Sequence, residues 1–140
     1  MMTLRIVVAG GIAGVLSTVT GYWITGRLFH PYQARTPNTW RSTESWSSYL
    51  VSTGLRLFAC VAIACLYAGV EFATSLFGPA TVLSGASFGL GLWAITVAPV
   101  TLEAALFVNW HRGFVVGLLL DWTVVFILAG IAGSVAARVV

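Results

Sequence analysis

The sequence predicts an all-α fold, a polytopic integral membrane four-helix bundle, on three observations. Of the 140 residues only 8% are charged while 59% are hydrophobic, and soluble domains carry about a quarter charged residues. Several charge-free runs are long enough to cross a hydrocarbon core of about 30 Å. The later connections are short, which forces sequential helices to be antiparallel neighbours. A mean hydropathy of +0.95 agrees. This composition excludes an ordinary soluble enzyme, a disordered tail and a nucleic-acid-binding module, and the length predicts a single membrane domain over residues 1–140.

Span one is expected over about 6–29, with no charge from residue 6 to residue 26. Arg5 ahead of an apolar run resembles the opening of a signal peptide. Val19-Thr20-Gly21 is a poor small-x-small cleavage site, however, so the segment is read as a retained span. Residues 30–48 form the long polar stretch, with Pro31, Pro37, Trp40 and Trp46. Aromatic residues there, with Tyr49, read as an interfacial belt, and a short helix from about Thr39 is expected to lie along the surface. Span two is expected over about 50–77 and ends at Gly78-Pro79, where proline cannot continue the helix ladder. Span three covers about 80–108, Asn109-Trp110-His111-Arg112 makes the turn, and span four covers about 113–137.

All seven basic residues are arginine. One side of the predicted topology collects Arg27, Arg35, Arg41, Arg56 and Arg112, and the other has Arg5 and Arg138. The positive-inside rule then places the long loop in the cytoplasm and both termini outside the inner (plasma) membrane. Sparse arginine is no nucleic-acid footprint, but it suits an anionic bilayer surface as partner.

Gly10 and Gly14 form one GxxxG stripe, Gly85 and Gly89 another, and Gly130, Gly133, Ser134 and Ala137 extend the pattern in span four. Helices in lipid associate through close backbone approach at small residues. The stripes predict packing within the bundle, with a homo-oligomer seam or docking into a larger membrane complex as the alternatives.

Glu71, Glu103 and Asp121 carry the functional argument. An acid at the bilayer centre costs about 2.5–3.5 kcal/mol on an insertion scale, so each should face protein, water or a partner. Gly85, Gly89, Thr96, Pro99 and Glu103 recur at helical spacing, which aims Glu103 into the bundle. Glu103 and Asp121 each lie nine residues from Arg112, and Arg56 enters span two at a similar depth. A cluster of Arg56, Glu103 and Asp121 follows, with Arg27 or His111 at its mouth. Glu71, fifteen residues beyond Arg56, belongs about 22 Å further along the helix, where Tyr67 is placed to hydrogen-bond it and Arg5 or Arg138 to approach it.

Cys60 and Cys65 match no redox or zinc spacing and read as apolar packing residues. His30 and His111 fall in loops, and no ligand pair shows i, i+4 spacing, so neither a metal nor a cofactor is expected. Three functional readings remain. The first is transport or permeation of an ion or small polar solute, with Glu103 and Asp121 as binding groups and Arg56 as counter-charge. The second is a structural or accessory subunit whose charges fix packing. The third is a membrane-embedded enzyme for a lipid-soluble substrate, with Glu103, Asp121 and His111 as acid–base groups.

Small four-span transporters carry a membrane-embedded Glu in the first helix, which this chain lacks. The thiol–disulfide four-helix membrane enzymes share only its size, because their cysteine pairs are missing. Gly21-Tyr22-Trp23 leading to Leu28-Phe29, followed by Trp40 and a tyrosine-bearing entry to span two, resembles uncharacterised small bacterial four-span membrane protein families. That resemblance covers mainly the first half of the chain and implies topology without an activity.

Overall fold

The computed structural model describes residues 2–33, 35, 46–69, 77 and 79–138. It is all helical among these residues: α1 spans Met2–Ile24, a π-helical turn spans Thr25–Phe29, and α2 spans His30–Gln33. Trp46–Gly69 form α3, Val82–Phe107 form α4 and Arg112–Arg138 form α5. Four helical segments are long and apolar enough to cross a membrane, the first of them running on through the π turn. Large apolar side chains point outward on every one, including Ile12, Phe58, Ile95 and Leu120. So much exposed hydrocarbon suits lipid rather than water.

Local chemistry explains where the elements begin and end. The π turn falls one turn before Pro31, whose ring would collide with the residue-27 carbonyl in an unbroken α-helix. Widening the helix there absorbs the mismatch. Thr81 caps α4 in a reciprocal box: its Oγ1 accepts from the Ser84 N–H at 3.0 Å, and its own N–H donates to Ser84 Oγ at 2.8 Å. Val108 closes α4, its N–H donating to the Ala104 carbonyl at 2.8 Å. At the start of α5, His111 Nδ1 accepts from the Gly113 N–H at 3.1 Å. The His111 ring stacks on Tyr32 with centroids 4.5 Å apart, which ties the end of the α1–α2 extension to the start of α5.

The four long helices are not equivalent. α5 is the central one and packs on α1, α3 and α4, while α1 also packs on α3. α4 lies against α5 and meets α3 chiefly at one end, where Tyr67 Oη is 3.0 Å from Ser84 Oγ and the Tyr67 ring meets Phe88 edge-on. The core is built mainly of small residues: Cys60, Ala64, Val125 and Ala129 are fully buried.

Glycine at the seams permits this closeness. A Cβ on Gly10 would stand 2.7 Å from the Val61 Cα, and one on Gly14 would meet the Leu57 backbone and side chain. Gly89 abuts the Phe126 carbonyl, and Gly85 and Gly130 abut one another. Both GxxxG stripes are therefore covered by helices of the same chain, α3 for the first and α5 for the second.

Gly89→Ala should destabilise the protein by about 1–3 kcal/mol, because the new methyl must push α4 off α5. Gly11→Ala, which meets nothing within 4 Å, should be neutral or gain up to about 1 kcal/mol from helix propensity. Thermal melts of the two variants in one detergent, followed by circular dichroism, would show the contrast.

Candidate functional site

The polar centre of the molecule is a three-helix junction. From α3, Arg56 reaches α5 and grips Asp121 in a fork. Its Nη1 donates to Asp121 Oδ1 at 2.9 Å and its Nη2 donates to Asp121 Oδ2. Nη1 also donates to the Ser17 carbonyl of α1 at 3.3 Å. The guanidinium carbon lies 5.8 Å from the centre of the Trp122 ring. Asp121 is 1% exposed and Arg56 is 13% exposed, so the pair is largely withdrawn from its surroundings. Two-pronged geometry of this kind is the strongest that an arginine and a carboxylate make.

Gly21 makes room for the pair. A Cβ at that position would overlap the Arg56 guanidinium and stand 2.9 Å from Asp121 Oδ1. One turn back, Ser17 is fully buried, its hydroxyl donating to the Gly14 carbonyl at 2.9 Å. Neither residue stood out in the sequence reading, although a signal existed. Gly10, Gly14, Ser17 and Gly21 recur at four, three and four residues, one continuous small face of α1.

The predicted cluster of Arg56, Glu103 and Asp121 forms without Glu103. Contacts of Gly85 with Gly130 and of Gly89 with Phe126 fix the register of α4 on α5. Continued along both helices, that register sets Glu103 beside the first turn of α5, about 13 Å from the level of Asp121. Glu103 is exposed and lies one turn from the end of α4. An acid near a helix end needs no buried partner, because the insertion cost applies at the bilayer centre. The expected inward stripe is correspondingly broken. Gly85 and Gly89 are buried, but Thr96, Pro99 and Glu103 are exposed, and Thr101 is buried instead.

The other predicted residues are dispersed. Tyr67 is 2% exposed and pairs with Ser84, and Glu71, its expected partner, lies outside the described residues. Arg138 donates from Nε to the Ala80 carbonyl. Arg27 lies over the Trp23 ring at 4.6 Å. His111 is held between Tyr32 and the start of α5. Glu103, Asp121 and His111 thus do not converge into an acid–base set. No group of three metal-ligating side chains occurs among the described residues.

The ion pair forms the floor of an open groove of about 780 Å³ on the side of the bundle. Its walls include Val51, Leu55, Phe58, Leu118 and Trp122, with Ser47 and Ser52 as polar edges. A second, almost wholly apolar groove of about 470 Å³ lies between α3 and α4, over Phe126. Ala59 lines both, so the two grooves adjoin along α3; the first, which holds the ion pair, is a lateral cleft between α3 and α5, and the second lies between α3 and α4. Beyond the pair, the space between α3 and α5 is filled by Cys60, Ala64, Val125 and Ala129.

No family model, curated protein or solved structure matches this chain.

Asp121→Asn or Arg56→Met alone should cost about 3–5 kcal/mol, since each leaves an unpaired partner in a buried place. The double variant Arg56→Met with Asp121→Leu should recover most of that loss. Glu103→Gln should change stability by less than about 0.5 kcal/mol. Melting temperatures of the four proteins in detergent test the order.

Proposed function

We propose that this chain is a small multi-pass membrane protein that takes a lipid-soluble molecule bearing a polar group from the bilayer into its lateral cleft. The carrying observation is the cleft itself: apolar walls open sideways, with the Arg56–Asp121 pair on the floor. Binding sites of membrane proteins are commonly apolar pockets with a few convergent polar groups, and intramembrane charges mark such sites. This reading modifies passage of an ion or polar solute through the bundle centre, because small apolar side chains fill the interior beyond the pair. Asp121 serves here as the partner that holds Arg56 in place, and Glu103 stands outside the site.

A second reading has its own support. Both carboxylate oxygens of Asp121 are engaged by Arg56, as in a pair whose task is to fix helix packing within an accessory subunit. The two readings separate on one variant. Ala59→Trp fills the junction of the two grooves with an indole and leaves the ion pair intact. If the cleft is a binding site, native mass spectrometry of the protein released gently from its membrane should find a small molecule or lipid on the wild type and lose it on the variant. A stoichiometric second protein that survives the substitution would establish the accessory role.

The topology proposed with this function sets both termini outside the inner membrane and the segment between α2 and α3 in the cytoplasm. Cysteines placed singly at residue 3 and residue 38, in a background without Cys60 and Cys65, give the check. The first should react with an impermeant maleimide on intact cells and the second only after lysis.

A further inference from the structure

Three arginines gather at one end of the bundle. Arg27 belongs to the π turn, Arg35 follows α2 and Arg112 opens α5, and all three are exposed. The π turn and α2 both pack on α5, and aromatic rings set how closely. The Tyr32 ring lies over Gly113, where any Cβ would strike it, and stacks on His111, the neighbour of Arg112. Arg35 is tied to the same tyrosine. Its N–H donates to the Tyr32 carbonyl at 3.1 Å, and its guanidinium carbon stands 5.3 Å from the ring centre. No described carboxylate forms an ion pair with any of the three. Asp121 is taken by Arg56, and Glu103 belongs to α4, which touches neither the π turn nor α2. The first membrane-crossing segment ends at Tyr32 and the fourth begins at Arg112, so this cluster stands at the edge of the hydrocarbon. Arginines without a protein counter-charge at that level face the phosphate layer of the bilayer.

We propose that Arg27, Arg35 and Arg112 form a site for the headgroup of an anionic phospholipid, assembled by the stacking of Tyr32 on His111. The site is independent of what occupies the cleft. A headgroup of net negative charge meets three guanidinium groups and no described acid, whereas a zwitterionic headgroup carries its own cation into the same field. The planar fork of arginine also suits phosphate, because it can bond two oxygens at once. Free phosphate shares that chemistry, but the aromatic surroundings favour a ligand with acyl chains. Arg27 rests on the Trp23 ring at 4.6 Å, Trp23 is 63% exposed, and tryptophan at a helix end sits at headgroup level in a bilayer.

The test offers the purified full-length protein equal amounts of dioleoylphosphatidylglycerol and dioleoylphosphatidylcholine, and reads the bound lipid by native mass spectrometry. The wild type should retain the anionic lipid over the zwitterionic one by more than about tenfold, and Arg35→Gln should lower that ratio about fivefold, the affinity equivalent of one arginine at an anionic surface. Tyr32→Ala keeps every charge but removes the ring that gathers them, so the ratio should fall at least as far. Tyr32→Phe still stacks and should keep the wild-type value. Ala59→Trp, in the cleft, should leave the ratio unchanged. Equal retention of the two lipids by the wild type, or a ratio undiminished in Arg35→Gln, overturns the site. A ratio unchanged in Tyr32→Ala means diffuse attraction to net charge and overturns the assembled site. Loss of the preference in Ala59→Trp transfers the lipid to the cleft and overturns it too. Inorganic phosphate that displaces the anionic lipid at equal concentration overturns the lipid as the ligand. The wild-type comparison needs no variant, so it decides the matter even if Tyr32→Ala does not fold.

Discussion

An arginine and an aspartate that must find each other inside a hydrocarbon slab set the arrangement of three helices. Arg56 and Asp121 sit on α3 and α5, and the Ser17 carbonyl of α1 takes a further guanidinium proton. Unpaired, either charge would be expensive at that depth. Once paired, they fix how far α3 and α5 can slide, and the same register recurs where Cys60 approaches the Val125 carbonyl at 3.9 Å. The small face of α1 follows from the same constraint. Any side chain at Gly21 would strike the pair, and α1 can stand close to α3 only because Gly10 and Gly14 lack a Cβ.

α4 is held by a different kind of contact. It joins α5 through glycines that bring backbone against backbone, and joins α3 through Tyr67, Ser84 and Phe88 near its capped end. No described side chain of α4 pairs with Arg56 or Asp121, and the helix meets α3 chiefly near its capped end, so the second groove opens between the two along the rest of their length. Architecture and site therefore have a common origin. The ion pair ties α3 to α5, whereas α4 is tied to α3 through Tyr67, Ser84 and Phe88 near one end, and the second groove lies between them further along.

Charge and its interruption made most of the fold legible in the sequence. Runs without ionisable residues delimit helices, and proline and glycine mark their ends. Pairing of Arg56 with Asp121 was legible too, because depth along two helices can be counted from their common side. Glu103 is the residue that such counting misplaces. It needs Arg112 as the midpoint of the turn, whereas residues 108–111 form a non-helical link and α5 begins at Arg112. Its expected inward face fails before Pro99: Thr96, in phase with Gly85 and Gly89, is already exposed, and Thr101 is buried instead. The roles of Gly21 and Ser17 were hidden for another reason. A glycine or serine declares nothing until the neighbour it accommodates is known.

The dimensions of the central helix bear on how the molecule sits in its solvent. From Arg112 to Arg138, α5 has 27 residues, a length of about 39 Å at the usual rise. The hydrocarbon layer is about 30 Å thick, so a helix with arginine at both ends meets the excess by crossing at a slant. Because α1, α3 and α4 all lean on α5, the slant belongs to the whole bundle. A thicker bilayer would bring a bundle of these dimensions closer to upright and a thinner one would tilt it further, at the modest cost per ångström of hydrophobic mismatch.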